Sequence, residues 1–263
     1  MKNLKKGIVF VAIIAGLSSL TSYAGKTLEP WQEATLLNNE ALKLESEGKV
    51  VEAKAKYEAA IGIDPTLAIA FSNLGNLHFQ ENEFKKAENF FKKAIRLKPE
   101  TAAFHLNLAN TYYAQKHYDE AIAEYEVTLK LDSENALAEN NLGDTYLLKG
   151  ILSLAEHHLN RAVRLNPELF LAHYNLGELY VTQGEMSKAR TSYEQAIKIN
   201  PMYADAHFKL AKIYEDEYNP TQALRHYGSY LSLNRKGDNA LEAAMRIKSI
   251  SAAMKQGPKK KAG

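Results

Sequence analysis

Apolar and small residues recur along this sequence at an interval of 34 residues. An alanine marks one register, at Ala53, Ala87, Ala121, Ala155, Ala189 and Ala223. A leucine marks a second register, at Leu74, Leu108, Leu142, Leu176 and Leu210. A bulky side chain marks a third, at Tyr57, Phe91, Tyr125, Leu159, Tyr193 and Tyr227. Because several independent marks share one period, the sequence predicts an array of repeated structural units.

Within each period the pattern predicts two helices joined by a tight turn. In residues 170–203, Leu176 and Tyr180 share one helical face, and Ala189 and Tyr193 share another. Small residues let two helices approach closely, and the large ones fill the space beside them. The turns are expected at Gly48, Asn82, Lys116, Gly150, Gly184 and Tyr218. One such hairpin cannot bury its apolar faces alone, so it needs neighbours of its own kind.

This unit resembles the tetratricopeptide repeat (TPR), on the small–large–small pattern and the 34-residue period. The resemblance implies an all-α fold, a right-handed superhelical α-solenoid of six helix-turn-helix units in which the first helix of each unit lines a concave face. The six units are predicted at residues 34–67, 68–101, 102–135, 136–169, 170–203 and 204–235. The first departs most from the family pattern, because Glu40-Ala41 stands where Leu-Gly is usual.

The flanks of the array carry signals of their own. Residues 25–33 form a lead-in, with the first helix expected to begin near Pro30 and Trp31 expected to pack against the first hairpin. After the sixth unit, one apolar stripe predicts a capping helix over residues 238–254, formed by Ala243, Ile247, Ile250 and Met254. Residues 255–263 are predicted to be a short, basic, disordered tail.

The N-terminus has the pattern of a secretory signal peptide over residues 1–24. Three lysines precede an apolar run from Gly7 to Leu20, and Ser22-Tyr23-Ala24 supplies a small-x-small cleavage signal after Ala24. An uncleaved anchor is the alternative, although the run is short for a membrane span. The chain has no cysteine. An exported protein without disulfides fits a bacterial periplasm, where cleavage would leave it with no stable membrane anchor.

Composition and motifs predict neither an enzyme nor a cofactor. Without cysteine there is no disulfide, zinc–thiolate site or cysteine nucleophile, and no phosphate-binding, dinucleotide-binding or HExxH motif occurs. His105, His173 and His207 share one register, but equivalent positions of stacked hairpins lie roughly 8–10 Å apart. They are therefore expected to pack inward and to bind no metal. Removing residues 1–24 takes away three lysines and no acid, so the formal charge changes from +2 to −1, and nucleic acid is not an expected partner.

The first helices also carry the residues that would face a binding groove. Five asparagines lie 34 apart, at Asn39, Asn73, Asn107, Asn141 and Asn175. The resemblance implies that such a ladder can hold a peptide backbone, while bonding to the neighbouring helix is the alternative. Further candidates on the same helices are Asn76, Asn110, Phe79, Tyr113, Leu147, Val181, Tyr174 and Glu178.

The sequence thus predicts a non-enzymatic protein–protein interaction scaffold of the bacterial cell envelope. It would bind an extended or helical peptide segment of an envelope protein in the concave groove. The alternative is a dedicated accessory or assembly subunit of an envelope enzyme, secretion, pilus or polysaccharide-export complex. Formation of a homo-oligomer stays open.

Overall fold

The computed structural model describes residues 28–256, and this range contains thirteen α-helices and no strand. The predicted signal peptide and the start of the lead-in lie outside the described residues, and so do residues 257–263 of the predicted tail. In chain order the helices are α1 Pro30–Ser46, α2 Val50–Ile63, α3 Ala68–Gln80, α4 Phe84–Leu97, α5 Ala102–Ala114, α6 Tyr118–Leu131, α7 Ala136–Leu148, α8 Leu152–Leu165, α9 Phe170–Gln183, α10 Met186–Ile199, α11 Ala204–Asp216, α12 Pro220–Leu233 and α13 Ala240–Gln256.

Odd-numbered helices α1 to α11 are called A helices below, and even-numbered helices are called B helices. Each A helix is joined to the following B helix by a turn that contains one residue with positive φ. These residues are Gly48, Asn82, Lys116, Gly150, Gly184 and Tyr218. All six turn positions predicted from the sequence are therefore confirmed. Three of the six are not glycine, and each such residue bears a steric cost of about 1–2 kcal/mol in this conformation.

The described part of the chain divides into two compact units, with the boundary between Thr145 and Tyr146. The first unit contains α1 to α6 and most of α7. Its core joins one hairpin to the next, because Ala53 and Tyr57 of α2 pack with Leu74 and Leu77 of α3. The bulky register found in the sequence is buried here, since Tyr57, Phe91 and Tyr125 are fully covered.

The second unit contains the end of α7 and helices α8 to α13. Ala189 and Tyr193 of α10 pack with Leu210 and Ile213 of α11, which repeats the arrangement of the first unit. Gly177 is required by this packing, because a Cβ atom there would lie 2.4 Å from the ring of Tyr193. The close contact between small and large residues predicted from the pattern is therefore present.

Helix α13 packs on the last hairpin, but its apolar stripe is shorter than the sequence predicts. Ala243 is fully buried in one cluster with Phe208 and Tyr230, and Ile247 and Ile250 pack against that cluster. The side chain of Met254 is 51% exposed, so its predicted place in the stripe is wrong. Met254 lies in the last turn of α13, beyond Ile250, and is not among the residues that pack against this cluster.

The predicted packing of Trp31 is also wrong. Helix α1 begins at Pro30 as expected, yet the Trp31 side chain is 61% exposed. Trp31 has the spacing of the face that α1 buries with Ala34, Asn38 and Ala41, but it stands in the first turn and is not among the residues that pack against the apolar cluster around Ala34. No helix between residues 28 and 256 is both long and apolar enough to cross a membrane.

Candidate functional site

The asparagines of the A helices bond to one another between neighbouring repeats. Nδ2 of Asn107 in α5 donates to Oδ1 of Asn76 in α3 at 3.1 Å, and Nδ2 of Asn141 donates to Oδ1 of Asn110 at 2.9 Å. Each pair joins residues 31 apart in the sequence. The asparagine register of one repeat therefore contacts the position one turn further along the preceding A helix.

Asn73 also bonds to the preceding A helix, but at a residue 35 positions earlier rather than 31. The preceding repeat has Leu42 at the matching position, and Nδ2 of Asn73 donates instead to Oδ1 of Asn38 at 3.1 Å. Asn73, Asn107, Asn141 and Asn175 are all buried. The bonds of the first three support the local alternative, in which the ladder holds A helices together.

The tyrosines of the B helices reinforce this network. The hydroxyl of Tyr125 donates to Oδ1 of Asn110 at 2.8 Å, and the hydroxyl of Tyr193 donates to the carboxylate of Glu178. Tyr125 and Tyr193 occupy equivalent places in their repeats, as do Asn110 and Glu178. Burial raises the pKa of both tyrosine hydroxyls well above the usual range, so these hydroxyls remain donors.

The predicted binding residues differ in their exposure, and seven of the thirteen are buried. Buried are Asn73, Asn107, Asn141, Asn175, Asn76, Asn110 and Phe79; half-buried are Asn39, Tyr113, Leu147, Tyr174 and Glu178; Val181 is exposed. Phe79 was expected on a groove wall, but it packs in the core with Phe91 and Leu108. A peptide could not reach Phe79 or Asn107 without displacing their neighbours. Whether the accessible members bind a peptide stays a prediction.

One accessible stripe remains on α9 in the second unit. Tyr174, Glu178 and Val181 follow the spacing of four and three that places side chains on one helical face. Glu178 is held in place from two sides, by the Tyr193 hydroxyl and by Nζ of Lys209 at 2.6 Å. The result is a fixed, half-exposed carboxylate between an aromatic ring and an exposed aliphatic side chain. We call these three residues the α9 stripe.

Ion pairs continue from the α9 stripe across the later helices of the second unit. Nζ of Lys212 in α11 lies 3.3 Å from Glu242 in α13, and Arg246 lies 3.3 Å from Glu215. Both ion pairs join α11 to α13, and all four side chains are partly exposed. These pairs were not predicted from the sequence, although the spacing of 30 or 31 residues between the opposite charges is close to that of the asparagine bonds.

The three histidines that share one register of the A helices form hydrogen bonds with backbone carbonyls. His105, His173 and His207 each place Nε2 2.9–3.1 Å from the carbonyl oxygen of a proline six residues earlier. These prolines are Pro99, Pro167 and Pro201. The expectation that His105 and His207 pack inward is confirmed, since both are buried, whereas His173 is half-buried. The recurring spacing of proline and histidine was a signal that could have identified these contacts.

The second ring nitrogen has a different partner in each repeat. Nδ1 of His105 lies 2.7 Å from Glu124, and this hydrogen bond raises the pKa of His105. At the equivalent place in the last hairpin, Nδ1 of His207 lies 3.0 Å from Nδ1 of His226. Burial lowers the pKa of His226 to about 4. The two imidazoles are therefore a neutral hydrogen-bonded pair near pH 7.

A separate group of potential metal ligands lies at the turn between α3 and α4. His78, Glu81 and Glu83 place one ligand atom each within 4.8 Å of one another. This group was not predicted from the sequence, because His78 lies outside the register shared by His105, His173 and His207.

Two family models match parts of the chain. Residues 78–140 match the model described as tetratricopeptide repeat, and residues 177–216 match the model described as TPR repeat. No curated protein matches the sequence. The two matched stretches include parts of both units and carry the 34-residue marks from which the family resemblance was derived.

Solved structures show the same fold. A chain of the APC/C hetero-tetramer Cut9–Hcn1 matches with a TM-score of 0.74 and 19% identity, over 83% of this chain and 43% of that chain. PilF of Pseudomonas aeruginosa matches with a TM-score of 0.71 and 19% identity, over 85% of this chain and 99% of that chain. YrrB, described as a TPR protein with an unusual peptide-binding site, matches with a TM-score of 0.52 and 26% identity, over 72% and 97%. This chain thus spans less than half of the Cut9–Hcn1 chain.

Proposed function

Because the chain is a tetratricopeptide repeat protein, we propose that it is a non-enzymatic scaffold of the bacterial cell envelope that binds a peptide segment on its A helices. Such repeats generally serve as non-catalytic scaffolds for protein or peptide partners. The peptide would be extended or helical, and it would belong to another envelope protein. The similarity to YrrB, which is described as having a peptide-binding site, supports this choice of ligand.

The α9 stripe is the observation that carries the proposal. Its carboxylate is fixed by Tyr193 and Lys209 before any partner arrives, so little side-chain entropy is lost on binding. Val181 is 39% exposed and offers apolar surface beside that charge. A peptide backbone N–H or basic side chain would donate to Glu178, while an apolar side chain would cover Val181 and Tyr174.

The buried asparagines contribute to this surface indirectly. Their bonds fix the spacing of neighbouring A helices, and that spacing determines where the accessible side chains lie relative to one another. A ladder of neutral amides can do this without placing charge in the core, where an unpaired charge would be costly. Peptide contact by Asn39 and Tyr113 in the first unit belongs to the same proposal.

Export to the periplasm is proposed on the N-terminal pattern alone. The basic start, the apolar run and the small-x-small signal predict cleavage between Ala24 and Gly25. Fractionation of cells, followed by N-terminal sequencing of the mature protein, tests this directly. A periplasmic protein that begins at Gly25 is the expected result, and a protein that retains residues 1–24 in the membrane fraction would contradict it.

The peptide-binding proposal is tested with a photo-crosslinking amino acid at position 181. Crosslinking in intact cells is expected to trap a partner protein at this position. The matched control places the same amino acid at Val51, which is 82% exposed on a B helix of the first unit. Equal crosslinking from both positions, or none from position 181, would contradict the proposal. A single partner recovered in stoichiometric amount would indicate a dedicated subunit of one complex.

Glu178→Gln supplies an independent test with the same readout. The substitution keeps the size of the side chain and removes its charge, so crosslinking from position 181 is expected to decrease. A charge-assisted hydrogen bond contributes about 1.5–3 kcal/mol, which corresponds to a tenfold or greater loss of affinity. Glu194→Gln on the surface of α10 is the control and is expected to leave crosslinking unchanged.

A further inference from the structure

We propose that His78, Glu81 and Glu83 form a binding site for a borderline divalent transition-metal ion, with Zn²⁺ as the best fit. The three residues lie on either side of Asn82, whose positive φ reverses the chain between α3 and α4. The reversal brings the start of α4 back beside the last turn of α3, and the Glu83 N–H donates to the His78 carbonyl at 2.9 Å. The backbone of this turn therefore keeps the three residues close to one another.

The donor atoms are close enough to share one ion. Nδ1 of His78 lies 2.6 Å from Oε2 of Glu83, and all three donors lie within 4.8 Å of one another. Zinc bonds of about 2.0–2.2 Å place tetrahedral ligands roughly 3.3–3.5 Å apart. Binding thus requires the His78–Glu83 pair to separate by about an ångström and Glu81 to approach by a similar amount. Rotation of the two glutamate side chains is sufficient, since neither is buried.

The chemistry of the three donors selects the class of ion. One imidazole nitrogen with two carboxylate oxygens suits Zn²⁺, Ni²⁺ or Co²⁺, whereas Ca²⁺ and Mg²⁺ prefer sites made only of oxygen. His78 is well placed as the anchoring ligand because its ring is stacked on Phe90 at 5.2 Å. Only 10% of the His78 side chain is exposed. Three protein ligands leave a fourth position for water or for a side chain of a partner.

The site must compete with two lysines. Nζ of Lys54 in α2 pairs with Glu81, and Nζ of Lys86 lies 3.0 Å from Glu83. Lys86 is largely exposed and Lys54 partly so, and such surface ion pairs are weak. A divalent cation between the two carboxylates supplies the same positive charge as the two lysines together. Displacement of Lys54 and Lys86 into solvent therefore costs little compared with the bonds that the metal forms.

The same places in the other hairpins provide a built-in comparison. The next hairpin has Tyr112, Gln115 and His117 there, and the last hairpin has Tyr214, Glu217 and Asn219. Among the described residues, a cluster of three potential metal ligands lies at the turn that contains Asn82. In the last hairpin Arg190 pairs with Glu217, just as Lys54 pairs with Glu81, but no histidine accompanies it. Substitution of Glu217 therefore removes an equivalent ion pair without removing a proposed metal ligand, and it serves as the matched control.

The test uses the full chain without an affinity tag, freed of metal by a chelator and titrated with ZnCl₂ by calorimetry at pH 7. One ion per chain is expected to bind, and His78→Gln is expected to weaken binding about tenfold or more. The double substitution Glu81→Gln with Glu83→Gln is expected to do the same without touching the core, so the test does not depend on the folding of the His78 variant. Glu217→Gln is expected to bind as the unchanged protein does.

Two results would overturn the site. One is the absence of binding up to about 1 mM free Zn²⁺. The other is binding of equal strength in the protein with both glutamates replaced, which would place the ion at other histidines. Titration with Co²⁺ adds a spectroscopic readout, since visible absorption bands report nitrogen and oxygen ligation directly. Those bands are expected to disappear in the double glutamate variant and to persist in Glu217→Gln.

Discussion

The side-chain amide of Asn107 donates a hydrogen bond of 3.1 Å to Oδ1 of Asn76, and both side chains are buried between neighbouring A helices. The two residues lie 31 apart, three fewer than the repeat length. Helix α5 thus bonds to α3, and α7 bonds to α5, at a point one turn further along the preceding A helix. Because of this offset of three residues, asparagines that recur along the sequence contact one another between neighbouring repeats.

Asn107→Ala is expected to destabilise the protein by about 1–3 kcal/mol, because Oδ1 of Asn76 would remain buried without its donor. Urea unfolding followed by circular dichroism measures the change. Asn89→Ala is the control, since Asn89 is exposed on α4, and its effect is expected to stay within about 0.5 kcal/mol. If both substitutions had the same small effect, the asparagine bonds would not hold the A helices together.

Gly177→Ala is expected to lower the free energy of unfolding by about 1–3 kcal/mol through overpacking. The added Cβ atom would lie 2.4 Å from Cε1 of Tyr193, whose ring is enclosed in the core. Gly228→Ala is the matched control on α12, because nothing lies within 4 Å of a Cβ atom there. That control is expected to gain about 0.4–1 kcal/mol from reduced freedom of the unfolded chain. Thermal melts of both variants measure the effect, and changes in melting temperature of the same sign would contradict this packing.

Stability is expected to fall between pH 6.5 and pH 4 because of His226. Burial lowers its pKa from 6.5 to about 4, so in this window the unfolded chain binds a proton that the folded chain does not. Stability contributed by the neutral ring is therefore present above pH 6.5 and is lost as the pH falls. Because the half-exposed ring is partly screened by solvent, the loss is expected to be about 1–2 kcal/mol.

His226→Gln removes this titration, so the variant is expected to lose less stability than the unchanged protein between pH 7 and pH 4.5. Urea midpoints at the two pH values provide the comparison. His157→Gln is the control, because His157 is exposed, and its pH dependence is expected to match that of the unchanged protein. A His226 variant with an unaltered pH dependence would show that the pair with His207 is not the titrating element.

Removal of α13 by truncation after Gly237 is expected to expose Phe208 and Tyr230 and to uncover the site occupied by Ala243. The loss of buried apolar area from Ala243, Ile247 and Ile250 corresponds to about 2–5 kcal/mol. A lower melting temperature and aggregation by light scattering are expected. A chain that ends at Gln256 keeps α13 and should melt as the full chain does. Equal melting of both truncated chains would mean that α13 does not cap the array.

Within a hairpin, the sequence was sufficient to predict most of the structure. The six turn positions and the buried bulky residues follow from registers that repeat along the chain, because a fixed period assigns each residue to a helical face. Tyr57 and Tyr193 are buried for this reason, and Gly177 faces Tyr193 as the pattern of small and large residues predicts. The family and the all-helical fold followed from the same marks.

Residues that lie between hairpins or at the ends were not predictable in the same way. The period assigns Phe79 and Asn107 to an A-helix face, but the extent to which the next hairpin covers that face depends on how the helices pack. Trp31 and Met254 follow the apolar spacing of their helices, yet both are exposed, and each lies in the outer terminal turn of the first or last described helix. An apolar pattern identifies a face but gives no measure of the area available opposite it.

The sequence by itself determined the repeat, the helices, the turns and the small and bulky residues that recur in the core of each hairpin. The tertiary structure decided which side chains stay accessible: seven of the thirteen predicted binding residues are buried, and the residues of the α9 stripe are among the six that are not. It also brought His78, Glu81 and Glu83 together across Asn82. Helical periodicity is a local property of the chain, whereas accessibility and ligand geometry depend on the directions of side chains from separate helices, which only the packed structure determines.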